Sequence, residues 1–158
     1  MGENILVIVV GLLILWVFRY LHTNQHLGRI KLDLMTDAGI QYTSKTMLEF
    51  LGEEYKQKLP KLNFGDLSKH KAEYDIDLVF GVYVYDQKMI ILDIDALKKH
   101  GHNINYLAEI ISHEWKHYVD HLLDITYETV GVEMCEQRAH RFAKEGRKLI
   151  MKNIELEQ

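Results

Sequence analysis

The residues best suited to chemistry in this sequence form the run His113-Glu114-Trp115-Lys116-His117. If the run is helical, its two histidines lie about 40° apart around the helix axis, so both imidazoles project from one face. That spacing suits two nitrogen ligands of one tetrahedral zinc ion. Glu114 lies about 100° further round, where its carboxylate suits a general base better than a third ligand. The run therefore predicts a zinc site with a catalytic carboxylate.

The alternative interpretation of this run is a solvated helix face that carries two surface histidines. The surroundings favour the metal site. Leu107, Ile110 and Ile111 precede the run and predict an amphipathic helix with one buried face. A second helix, expected over residues 131–153, follows with acidic side chains that are candidates for the third ligand of a catalytic zinc.

The residues alone leave the identity of the third ligand open. The acidic and histidine candidates after the pair are Asp120, His121, Asp124, Glu128, Glu133 and Glu136. The first two lie on the same helix as the pair, too close along the chain to complete a tetrahedron easily. Glu136 lies beside the small residues Ala139 and Ala143, which allow two helices to approach closely.

Two motifs carry a likeness to a known family: H-E-x-x-H at residues 113–117 and E-x-x-A-x-x-F-A at residues 136–143. Together they resemble the ImmA/IrrE-type metallopeptidases of the gluzincin group. The resemblance implies that Glu136 is the third zinc ligand and that the substrate is a protein, such as a transcriptional repressor or a similar regulator. Two positions depart from the family pattern: Lys116 stands where Gly is common, and His140 where Asn is common.

Further side chains are candidates for supporting roles. His140, His121 and Tyr127 are candidates for stabilising an oxyanion, since peptide hydrolysis needs a donor at the developing charge. Asp120 or Asp124 is a candidate partner for a ligating imidazole.

Residues 5–21 form the most apolar stretch of the chain, interrupted by one arginine. A length of about 17 residues is at the short end of what spans a bilayer. No basic residue precedes the stretch and no small-residue cleavage site follows it, which favours a membrane anchor over a cleaved signal peptide. Basic residues follow the stretch, so the positive-inside rule predicts an external N-terminus and a cytoplasmic catalytic domain in a single-pass membrane protein.

The segment between the anchor and the motif helix predicts a small α+β domain. A helix is expected over residues 44–59, capped by Thr43 or Ser44 and ended by Pro60. Strand formers at residues 78–85 and 89–94, separated by a short turn, predict a β-hairpin.

The predicted fold class is therefore α+β, with an N-terminal transmembrane helix before a small zincin-like domain. In that domain, a short antiparallel sheet or hairpin accompanies an H-E-x-x-H helix packed on a second, glutamate-bearing helix. The expected divisions are a transmembrane anchor at residues 1–22, a juxtamembrane linker at 23–43 and the zincin-like metallopeptidase domain at 44–158.

Composition limits the partners. The net charge of -4 and the lack of a basic stripe argue against nucleic-acid binding. A single cysteine, Cys135, excludes an internal disulfide and fits a reducing compartment. The sequence does not indicate an oligomeric state.

The function predicted from the sequence is zinc-dependent hydrolysis of peptide bonds in a protein or peptide substrate by a membrane-anchored enzyme. His113, His117 and Glu136 hold Zn²⁺, and Glu114 is the catalytic base. The alternative is a non-catalytic metal-binding sensor or protein-interaction module on the same fold. The presence of Glu114 favours the enzyme, because a purely structural metal site needs no base.

Overall fold

The computed structural model describes residues 36–68, 79–100 and 104–155, which are mostly helical with a small sheet. The helices are α1 (Asp37–Glu54), α2 (Ile94–His100), α3 (Ile104–Leu122), α4 (Tyr127–Val130) and α5 (Val132–Glu155). The strands are β1 (Lys61–Phe64), β2 (Gly81–Val84) and β3 (Met89–Leu92). The motif helix is α3, and the glutamate-bearing helix is α5.

The predicted transmembrane anchor, residues 1–22, lies outside the described residues. Within the three described ranges, no helix combines the length and the apolar character needed to cross a bilayer. Even α5, the longest at 24 residues, carries acidic and basic side chains along its length. The finding contradicts the transmembrane part of the predicted fold class and the single-pass membrane localisation. We correct the fold class to a mostly helical domain with a three-stranded sheet, and we do not retain that localisation.

The sheet has the order β1-β3-β2 and mixes the two pairing directions. β2 and β3 pair antiparallel, with Tyr83 opposite Ile90, at the position of the predicted hairpin. β1 pairs parallel to β3, with Leu62 opposite Ile90, in a segment for which the sequence predicted no strand. Among the described strands β2 therefore lies at one edge, and its Gly81 end approaches α3 closely.

Helix α1 begins earlier than the sequence predicted. Thr36 caps it, since its hydroxyl oxygen accepts a hydrogen bond of 3.1 Å from the backbone N–H of Gly39. Thr43 and Ser44, the predicted caps, are buried inside the helix. The first turns of α1 thus occupy part of the range that the sequence assigned to a linker.

The motif helix lies at the centre of the hydrophobic core. Its stripe of Leu107, Ile111 and Trp115 is almost fully buried. The stripe packs in one cluster with side chains of α1 and of the sheet, which include Met47, Leu51, Ile90 and Leu92. Burial of so large an apolar surface fixes the rotation of α3, and it leaves the face with the two histidines directed toward α5.

Small residues and two ion pairs set how α5 lies against α3. Ala139, Ala143 and Gly146 are buried, and a Cβ added at Gly146 would lie only 2.5 Å from the hydroxyl oxygen of Ser112 on α3. Two contacts join the helices at separate points along their length: Arg138 with Asp120, and Arg147 with Glu109. The register of the two helices is thus defined by close packing between them and by charge pairs on either side.

Candidate metal centre

Three donor groups from α3 and α5 converge at one point. His113 and His117, one turn apart on α3, bring their Nε2 atoms within 3.1 Å of each other. Glu136 on α5 places Oε2 at 3.3 Å from His113 Nε2 and Oε1 at 3.3 Å from His117 Nε2. The structure thus brings together the three side chains that the sequence and the family resemblance predicted as zinc ligands.

The spacing of these donors fits a zinc ion. Zinc binds imidazole nitrogen and carboxylate oxygen at about 2.0–2.2 Å, so two ligands of a tetrahedron lie about 3.3 Å apart. The separations of 3.1, 3.3 and 3.3 Å are close to that value, with Oε2 of Glu136 facing His113 and Oε1 facing His117. The three groups thus form a triangle of about the size that zinc needs. Two nitrogens and one carboxylate form a donor set typical of catalytic zinc, with one position left for water or substrate.

A second group of three potential ligands shares two members with the first: His113, Glu136 and His140. Its donor atoms lie within 4.8 Å of one another, and His140 is exposed. His140 Nδ1 lies 3.0 Å from Nδ1 of His113, the nitrogen directed away from the first triangle. We therefore assign His140 as a hydrogen-bond partner of His113, which would leave His113 Nε2 available to a metal ion.

The electrostatics of the triangle favour a cation. Burial raises the pKa of Glu136, but hydrogen bonds from His113 and His117 outweigh burial and hold the pKa well below its usual range. Burial lowers the pKa of His113, but the bond to Glu136 and the neighbouring carboxylates outweigh burial and raise it. The carboxylate is thus kept ionised next to positive charge, and a divalent ion at the same point would supply that charge.

Glu114 lies beside the triangle and is almost completely buried. Its carboxylate accepts a hydrogen bond from the backbone N–H of Tyr83 on β2. Burial raises its pKa, although the nearby rings of His113 and His117 oppose the shift. A raised pKa makes a carboxylate a better proton acceptor near neutral pH, as a general base requires.

Gly81 allows β2 to pass close to Glu114. A Cβ at this position would lie 3.2 Å from Glu114 Cγ and 3.0 Å from Ile110 Cγ2, tighter than ordinary van der Waals contact. The strand can therefore lie directly against α3 at the Glu114 carboxylate. Gly81 was not among the predicted site residues, although a glycine inside a strand often marks such a close approach.

Tyr127 supports Glu136 from the short helix α4. Its hydroxyl donates a hydrogen bond of 2.9 Å to Glu136 Oε1. Burial and the charge of Glu136 both raise the pKa of Tyr127, so the phenol stays protonated and remains a donor. Gly131, which has φ of 86°, connects α4 to α5, and this conformation favours glycine.

The other acidic candidates for the third ligand do not reach the triangle. Asp120 is buried and accepts hydrogen bonds from Arg138 at 2.8 Å and from Lys116. Asp120 was a predicted candidate for the partner of a ligating imidazole, but its hydrogen bonds go to these two basic side chains instead. Glu133 accepts a hydrogen bond from Gln137 on the surface of α5. Asp124 and Glu128 are exposed.

His121 has its contacts outside the group of candidate zinc ligands. Its Nδ1 is 2.8 Å from the hydroxyl of Tyr83, and its ring packs against Tyr85. Arg138, which ties α5 to α3 through Asp120, was missed by the sequence analysis. Its only signal was its position two residues after Glu136, and the contact depends on how the two helices pack.

Comparisons of the chain with protein-family models, with curated proteins and with solved structures found no match. The resemblance to the ImmA/IrrE-type metallopeptidases therefore rests on the two motifs and remains a prediction.

Proposed function

We propose that this protein is a zinc-dependent metallopeptidase that hydrolyses peptide bonds of a protein substrate. The observation that carries the proposal is the convergence of His113, His117 and Glu136, whose donor atoms lie 3.1–3.3 Å apart, beside the buried carboxylate of Glu114. A site that only stabilised the fold would have no use for an ionisable group at that place.

The roles of the side chains follow from their positions. Bound zinc would supply Lewis acidity, which polarises a carbonyl and lowers the pKa of a coordinated water. Glu114 takes the proton of the attacking water and delivers it to the amine that leaves, because it is a buried carboxylate that interacts with both histidine rings and is not one of the three ligands. Tyr127 orients Glu136, and His140 holds the ring of His113.

The edge strand β2 supports an extended substrate. Its Gly81 end lies against α3 and its Tyr83 N–H donates to Glu114, so β2 runs beside the proposed catalytic residues. Pairing by main-chain hydrogen bonds is a common way for proteins to hold an unfolded peptide segment. This arrangement favours a substrate segment without regular structure, such as a linker or a terminus.

The experiment compares the zinc-loaded full-length protein with its Glu114→Gln variant on an unfolded protein such as β-casein, with cleavage products identified by mass spectrometry. We expect the wild type to release peptides and the variant to lose about 10²–10⁴-fold of the rate, because glutamine cannot accept the proton. The variant should keep its zinc, since Glu114 is not one of the three ligands.

Two controls make the result specific. Glu133→Gln removes an exposed carboxylate from the first turn of α5 and should leave the rate unchanged. Removal of zinc with a chelator should abolish cleavage, and added zinc should restore it. If the wild type binds zinc but cleaves no faster than Glu114→Gln, the metallopeptidase proposal fails and the non-catalytic metal-binding module takes its place.

A further inference from the structure

A cleft of about 370 Å³ opens beside the catalytic residues. His113 and Glu114 line it, together with other residues of α3, residues of α5 and the start of β2. Its volume is near the lower end for sites that bind small molecules, which suits one side chain better than a whole ligand. His117 and Tyr127 are not among its walls, so it extends to one side of the zinc ligands.

The walls of the cleft are mainly apolar. Ile110 and Ala143 contribute aliphatic surface, and the rings of Phe80 and Tyr106 pack edge to face with centroids 5.1 Å apart. Glu109, one of the charged residues at the cleft, is paired with Arg147 at 3.0 Å. Such walls favour an apolar occupant, since a charged group would lose its hydration there.

The position of the cleft identifies which side of the substrate enters it. Glu114 delivers a proton to the leaving amine, so the residue that carries the new amino group must lie next to Glu114. The cleft contains Glu114 in its wall and lies against the Gly81 end of β2. The side chain of that residue is therefore the one nearest the opening of the cleft.

We propose that this cleft is the specificity pocket for the residue on the leaving-amine side of the cleaved bond, and that it takes a bulky apolar side chain. The proposal rests on the proposed metallopeptidase function and adds the class of substrate residue. Ile110 is the residue that determines size, because it lies on α3 one turn before His113 and lines the cleft next to Glu114.

The test uses hydroxamates, whose zinc-binding group fixes the position of the rest of the molecule. The probes are HONH–CO–CH₂–CH(R)–CO–NHCH₃, in which R is methyl, isobutyl, benzyl or carboxymethyl and projects to the leaving-amine side. Binding to the zinc-loaded full-length protein is measured by calorimetry. We expect the isobutyl or benzyl probe to bind about 10–100-fold more tightly than the methyl probe, and the carboxymethyl probe to gain nothing over methyl.

Variants connect the preference with the cleft. Ile110→Ala enlarges the pocket, so the ratio of benzyl to isobutyl affinity should rise about tenfold. Ile125→Ala removes a similarly half-buried isoleucine outside the cleft and should leave that ratio unchanged. If Ile110→Ala does not fold, Tyr106→Ala alters the wall at a residue that is 37% exposed and should reduce the preference for benzyl.

The outcomes separate this proposal from the function on which it rests. A protein that takes up no zinc and binds no probe overturns both. A protein that binds every probe with equal affinity keeps the metal site and overturns the pocket. Tighter binding of the carboxymethyl probe also overturns it, because the basic residue Lys144 at the cleft would then decide the specificity.

Discussion

Replacing Gly146 with alanine tests whether close packing of α5 on α3 positions the candidate metal centre. The new Cβ would lie 2.5 Å from Ser112 Oγ and 2.7 Å from Ser112 Cβ. Carbon atoms pack best at about 3.5–4.0 Å, so the helices would have to separate by about 1 Å. The Cβ of Ser112 is fixed to the α3 backbone, so rotation of its side chain cannot relieve the contact.

Two effects of opposite sign determine how far Gly146→Ala changes the free energy of unfolding. Alanine stabilises a helix interior by about 1 kcal/mol relative to glycine. Overpacking a well-packed core costs about 1–3 kcal/mol, and this contact lies at the upper end because main chain must move. We therefore expect Gly146→Ala to lower the free energy of unfolding by about 1–2 kcal/mol.

The measurement is urea denaturation in two backgrounds. Ser112→Gly removes the two closest atoms and leaves only the ring edge of Phe142, at 3.3 Å from the new Cβ. In that background Gly146→Ala should therefore stabilise the protein by up to about 1 kcal/mol. The sign of the effect thus reverses between the two backgrounds. If Gly146→Ala stabilises the protein equally in both, helix propensity alone governs this position, and the close-packing argument is refuted.

Two further predictions concern residues around the centre. Tyr127→Phe removes the hydrogen bond to Glu136, so zinc affinity measured by competition with a chromophoric chelator should fall about 10–100-fold, with little change in helix content; an unchanged affinity would contradict a positioning role. Asp120→Asn should lower the free energy of unfolding at pH 7 by about 1–3 kcal/mol, because the buried carboxylate of Asp120 pairs with Lys116 and Arg138. The loss is smaller than for a fully buried ion pair, since Arg138 is partly exposed to solvent. Burial raises the pKa of Asp120, but its hydrogen bonds outweigh burial and lower it, so the stability that the carboxylate contributes is present above the unfolded pKa of about 3.9 and is lost as pH falls through the lower folded value. The difference between wild type and variant should therefore shrink below about pH 4, and a difference that stays constant to pH 2 would exclude this pairing as its source.

The sequence predicted the secondary structure that depends on residues close together in the chain. The strand formers on either side of the turn at residues 86–88 predicted the hairpin, and the structure pairs β2 with β3 there. Strand β1 was missed because it has only four residues and its partner β3 is distant in the sequence. Parallel pairing with a distant strand leaves no periodic signal in so short a segment.

The start of α1 was misjudged for a different reason. Thr43 and Ser44 look like a helix cap before an apolar run, yet both are buried by tertiary packing. The actual cap, Thr36, precedes a turn with little apolar periodicity. The transmembrane helix was predicted from the apolar length of residues 5–21 and from their flanks, and the described fold has no membrane-spanning helix.

Some residues of the candidate site could be predicted from local sequence, and others depend on tertiary packing. The relative positions of His113, Glu114 and His117 depend only on helix geometry, so their spacing in the sequence was enough to predict them. The position of Glu136 depends on how α5 packs on α3, so only the family resemblance indicated it. The Asp120–Arg138 pair and the approach of Gly81 arise from contacts between distant segments, and no local pattern predicts them.

The most direct test of the zinc centre is the metal content of the full-length protein beside two variants, Glu136→Ala and Glu133→Ala. We predict about one zinc per chain in the wild type and in Glu133→Ala, because Glu133 is exposed and does not face the histidines. Glu136→Ala should lose zinc or bind it more than about 100-fold more weakly. Removal of a ligand should cost more than removal of an outer-shell partner, which lowers metal affinity by roughly 10–100-fold. The three-ligand centre would be contradicted if Glu136→Ala kept full zinc occupancy and unchanged affinity, or if the wild type bound no zinc.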